Sequence, residues 1–144
     1  MEYWPIIAVL VAILGGFAVA RYSAYRIASA KFRDVVLSEL NDFYPVFTRW
    51  NVASFDKELS AKFPILQAAV DDFLPIIPWY RKDGFRKAWI DYCNATGREC
   101  DMNTYLHYFD SYDPMESTQS EATAKAQALF HANIKFLLVF AHGT

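Results

Sequence analysis

Two cysteines and a histidine are the side chains with the most chemical potential in this 144-residue chain. Cys93, Cys100 and His107 fall at equal seven-residue intervals, with Asp101 directly after the second cysteine. Zinc needs ligands that converge on one ion, which usually takes short C-x2-4-C pairs. A wider gap across an expected helix end lacks that closeness, so no metal is assigned. A thiol nucleophile needs a neighbouring base to lower its pKa. His107 and His131 are the candidates, but no local signature joins either to Cys93 or Cys100. A disulfide between Cys93 and Cys100 would close a loop over Gly97, and it would form only in an oxidising compartment. Two reduced thiols are the expectation for a cytoplasmic domain.

The remaining polar groups offer less. His131 and His142 lie on the last expected helix and at its end, where a solvated or core-satisfied histidine is ordinary. Asp71 and Asp72 are adjacent, so on a helix their side chains point about 100° apart, whereas acid–base pairs must converge. Asn94-Ala95-Thr96 matches a glycosylation sequon, which matters only in a eukaryotic secretory lumen. No G-x-x-x-x-G-K-[ST], G-x-G-x-x-G, H-E-x-x-H, G-x-S-x-G or C-x-x-C occurs, so no common nucleotide-, zinc- or serine-dependent mechanism is indicated. No catalytic residue and no cofactor is therefore expected.

Binding chemistry is better represented. Trp79, Tyr80, Arg81, Lys82, Arg86, Lys87 and Trp89 interleave aromatics with bases around Gly84. Aromatics and arginine dominate partner hot spots, so this run is a candidate protein-docking patch or a contact with lipid headgroups. The competing reading is an amphipathic helix with its aromatics buried and its bases solvated.

The elements that must position these residues begin with the N-terminus. Residues 3–20 carry no charge, and the apolar run of about 17 residues reaches roughly 25 Å, the short end of what a bilayer core requires. Tyr3 and Trp4 at one end and Tyr22 and Tyr25 at the other suit the two headgroup belts. Arg21, Arg26, Lys31 and Arg33 follow the run with no acid among them. The positive-inside rule puts that side in the cytoplasm and the N-terminus outside, as in a single-pass protein of a bacterial inner membrane. Juxtamembrane bases also attract anionic lipid. Ala18-Val19-Ala20 has the form a signal peptidase accepts, but the n-region lacks a base. Small residues recur at Ala8, Ala12, Gly16 and Ala20, a spacing that lets membrane helices approach closely and makes self-association or pairing with another span an expectation.

Residues 1–24 are thus read as an anchor and 25–144 as an α-helical domain. Apolar residues at 54% and charged residues at 21% exclude a disordered tail, and aromatics at 17% imply a core rich in rings. Charge shifts from basic beside the anchor to acidic beyond it: residues 34–80 hold seven acids and three bases. With no broad basic face, nucleic acid is not expected as a partner.

The apolar period continues from Tyr25 to about Phe43 and stops before Pro45. Further helices are expected from Ser54, with a break or restart at Pro64, over residues 84–95, and from Thr118 to about Ala141. Residues 103–109 read as a short strand or an irregular loop. The expected architecture is all-α: one transmembrane helix followed by an irregular bundle of four or five helices. The expected role is a membrane-anchored protein-interaction or scaffold module. Alternatives are an extracytoplasmic domain, anchored or signal-cleaved, stapled by Cys93–Cys100, and a membrane-bound thiol-dependent hydrolase or transferase.

Overall fold

In the computed structural model, residues 3–48, 52–93, 108 and 119–142 are described. They form four helices: α1 (Trp4–Glu39), α2 (Val52–Phe73), α3 (Trp79–Cys93) and α4 (Gln119–Val139). No strand occurs among the described residues. Tyr108 is the only described residue of 103–109, so the strand-or-loop expectation lies otherwise outside them, as do Cys100 and His107.

α1 is 36 residues long, about 54 Å at 1.5 Å per residue. Its two halves differ in kind. From Trp4 to Ala24 every residue is exposed, and the apolar window long enough to cross a membrane is not buried at all. From Tyr25 onward the helix turns a stripe inward: Tyr25, Ser29, Phe32 and Val36 are buried. Their spacing of three to four residues is one face of a helix. The amide of Leu40 closes the helix on the Val36 carbonyl at 3.0 Å.

The other helices pack on that stripe in alternating directions. α2 returns antiparallel to α1, with Lys31 bonded to Asp72 near its end and Lys62 close to Glu39 near its middle. α3 runs back along α2, with Trp89 donating to Gln67 at 3.1 Å. α4 descends beside α3, where the Asn133 amide donates to the Asp91 carbonyl at 2.8 Å. The result is an up-down-up-down bundle whose α2–α3 turn and α4 C-terminus lie at the end from which the bare half of α1 projects.

The core is built of rings, as the composition implies. At the near end Tyr25, Phe32, Phe73, Phe85 and Phe140 stack or meet edge-to-face at 4.9–5.9 Å. At the far end Phe130 sits among Phe43, Phe55, Tyr92 and Tyr108. Such pairs add about 0.5–1.5 kcal/mol each beyond area burial.

Two boundaries differ from the sequence expectation: α3 begins at Trp79, five residues before the expected start at Gly84, and the other is at Pro64. α2 runs unbroken through Pro64. Phe55, Leu59, Phe63, Leu66, Val70 and Phe73 form one buried stripe along it, while Pro64 lies on the exposed face. There the missing amide donor faces water, and the packed stripe outweighs the local preference to break.

Candidate interaction surfaces beside the first helix

The α2–α3 turn decides what the near end displays. Leu74 and Ile77 close the end of α2 through amide bonds to Val70 and Phe73 at 2.9 and 3.3 Å. Ile77 is buried and pins the turn to the core. Pro78 then disfavours continuing the helix through Ile77, and α3 starts afresh at Trp79. On α3 the inward column is Phe85, Ala88, Trp89 and Tyr92; one turn before Phe85 it meets Arg81.

Arg81 consequently lies half-buried between three helices. Its Nη1 donates to the Tyr25 hydroxyl at 3.0 Å and its Nη2 to the Val139 carbonyl at 3.3 Å. Its guanidinium lies 5.2 Å from the centre of the Phe140 ring. The Tyr25 hydroxyl in turn donates to the Phe140 carbonyl. One cation therefore ties α3 and the end of α4 to the first domain turn of α1.

The aromatic–basic run is thereby divided. Trp89 is only 6% exposed and belongs to the core with Phe63. Arg86 pairs with Asp83 at 3.0 Å and Lys87 with Asp91 at 2.6 Å along the outer face of α3. Trp79 and Tyr80 are 83% and 69% exposed. With Lys82 they line a cleft of about 450 Å³ whose other wall is Arg21, Tyr22 and Tyr25.

A second surface lies between α1 and α2. Ala24, Ala28, Ala68 and Ala69 leave space for an apolar groove of about 600 Å³, bordered by Ile27, Val35, Ile65 and Ile76. Ile27 is 72% exposed and Ile65 49%, although both are large and apolar. Sequence reasoning passed over these two because they fall beside the buried stripes; the row of alanines opposite each other on α1 and α2 was the available signal.

The four bases after the apolar run are separated by this arrangement. Arg21 rests over Phe17 at 5.7 Å, and Lys31 meets Asp72 at 3.0 Å on the rim of the groove. Arg26 and Arg33 line a different cleft, with Tyr22, Asp34 and Ala141. Ala8, Ala12, Gly16 and Ala20 are all exposed on the bare half of α1, and a Cβ added at Gly15 or Gly16 would meet nothing within 4 Å. Asp71 accepts from Gln67, and Asp72 from Lys31, so the adjacent carboxylates have separate partners. Cys93 is buried at the end of α3, His131 lies against the Tyr44 ring, and His142 approaches Arg33 at 3.5 Å. No group of three or more metal-ligating side chains occurs among the described residues.

Comparison with protein-family models, with curated proteins and with solved structures gives no match.

Proposed function

We propose that this chain is a single-pass membrane protein whose helical domain holds a partner protein close to the bilayer. One observation carries the reading: α1 is a single unbroken helix, apolar to Ala20 and bare to Ala24, which then both builds the core and walls the α1–α2 groove. A core helix of a water-soluble domain would bury its most apolar turns, and α1 buries none of them. Cleavage after Ala20 would cut this helix one turn before Tyr25, which supports a retained span over a removed signal.

The groove supports binding as the domain's role. From Ala24 to Val35 it runs about 17 Å along α1, three helical turns, and its lining is almost entirely apolar. Helix-in-groove recognition uses this kind of channel. Its lower end opens directly above the membrane span, so the occupant we assign is a helix emerging from the same membrane, from another protein or from a second copy. The bases at 21, 26, 31 and 33 support an inner-membrane topology with the domain in the cytoplasm.

A photo-crosslinker placed at Ile27 or Ile65 of the full chain in native membranes tests this. The expected result is one discrete protein adduct from both positions and none from Ala61 on the exposed side of α2. Ala68→Trp, which fills the groove, abolishes it. Adducts to lipid alone, or equal labelling from Ala61, overturn the reading.

A further inference from the structure

We propose that the first turn of α3 is a second membrane contact, in which Trp79 and Tyr80 enter the headgroup region while Arg21 and Lys82 face the phosphates of anionic lipid. This rests on the reading of the apolar half of α1 as a membrane span. Arg21 and Tyr22 mark where that span ends, and Trp79, Tyr80 and Lys82 line one cleft with them. The two aromatics therefore stand at headgroup level, where indole and phenol rings concentrate because one end is apolar and the other wet.

Three features select a bilayer over a protein as the occupant. The first is continuity, since the cleft adjoins the chain's own membrane-spanning surface. The second is charge: its lining includes Arg21, Arg81 and Lys82 and no acid, which complements an anionic leaflet. Asp83, next in sequence, is paired with Arg86. The third is exposure. Trp79 and Tyr80 meet edge-to-face at 6.0 Å and, among the described residues of the domain, are more exposed than any other large apolar side chain except Ile27. Arg81 fixes their position, because its bonds to Tyr25 and Val139 keep the start of α3 against α1. Rings held in this way reach the headgroup boundary, where interfacial side chains settle about 5–10 Å deep.

The full chain, reconstituted in vesicles of mixed phosphatidylcholine and phosphatidylglycerol, provides the test. Tryptophan emission is read with lipids brominated near the glycerol end of the acyl chains and with unbrominated lipids. The difference between the parent and Trp79→Phe isolates the indole at 79, while Trp4, Trp50 and Trp89 remain in both proteins, Trp4 being the one at the start of the span. The expected result is that the difference emission falls by about half or more with bromine. It falls less in Arg21→Gln/Lys82→Gln, and less again when phosphatidylglycerol is omitted. A difference emission indifferent to bromine, in protein that floats with the vesicles and loses a further part of its emission in Trp4→Phe only with unbrominated lipids, overturns the contact and leaves the span standing. Protein that does not float overturns both. Quenching that ignores both phosphatidylglycerol and the double substitution overturns the role of Arg21 and Lys82.

Discussion

The guanidinium of Arg81 donates to the hydroxyl of Tyr25 at 3.0 Å across 56 residues of sequence, and this bond joins the projecting helix to the bundle it carries. Arg81 also reaches the Val139 carbonyl and the Phe140 ring. Hydrogen bonds to a charged group are worth about 1.5–3 kcal/mol, and a cation over a ring adds about 0.5–1 kcal/mol at a partly exposed site. Arg81→Ala is expected to lower unfolding stability by about 2–4 kcal/mol. Tyr25→Phe should cost about 1–2 kcal/mol, since it removes both hydroxyl bonds and keeps the ring on Phe73. Because the two residues share a bond, the double variant should lose less than the sum, by about 1 kcal/mol or more. Denaturant titration of the four proteins in one detergent measures this, and strict additivity would refute the clamp.

Gly84 faces the same ring from α3. A Cβ there would stand 3.1 Å from Cζ and 3.3 Å from Cε1 of Phe140, so the ring must shift by a few tenths of an ångström. Alanine removes the backbone-entropy cost of a helical glycine, about 1 kcal/mol, and the two effects oppose each other. Gly84→Ala is therefore expected within about 1 kcal/mol of the parent, whereas Gly84→Val should lose about 1–3 kcal/mol by overpacking. Thermal melts of both variants decide it, and a fully tolerated valine would show that Phe140 is free to move.

Pro64 yields the opposite expectation. It stands inside α2 on the exposed face, where it removes a helical hydrogen bond and crowds the carbonyl one turn before it. Proline costs a helix interior about 3 kcal/mol, offset in part because proline also restricts the unfolded chain. Pro64→Ala is expected to raise stability by about 1–2 kcal/mol with no change in helix content by circular dichroism. A destabilised variant would mean that the proline is needed to curve α2 around the core.

The extent to which these features could be read in advance follows from their range. The stripe of Tyr25, Phe32 and Val36 and the inward set Phe85, Ala88, Trp89 and Tyr92 are each periodic within one helix, so their burial is legible from spacing alone, and the apolar run is legible from its uninterrupted length. The role of Arg81 was not. Its position in the inward column can be counted from Phe85, but its partners Tyr25 and Val139 come from helices far apart in sequence. The groove was hidden for a similar reason, because Ile27 and Ile65 acquire meaning only when α1 lies against α2. At Pro64 a local rule lost to a six-residue buried stripe that no short window weighs.

Burial of Cys93 determines how topology should be measured. Its side chain is closed off at the end of α3, so an impermeant thiol reagent will miss it on either side of the membrane and report a false protection. Ser38, near the end of α1, is exposed, and Ser38→Cys in a Cys100→Ser background gives an accessible probe. Arg21, Arg26, Lys31 and Arg33 follow the apolar run, and on the proposed topology the positive-inside rule predicts that residue 38 faces the cytoplasm. The expected outcome in intact bacterial cells is no labelling at position 38, with full labelling once the membrane is opened and Cys93 still slow to react until the fold is denatured. Labelling of intact cells would invert the topology. It would then move the search for a groove partner to the outer side, where a Cys93–Cys100 bridge becomes chemically accessible.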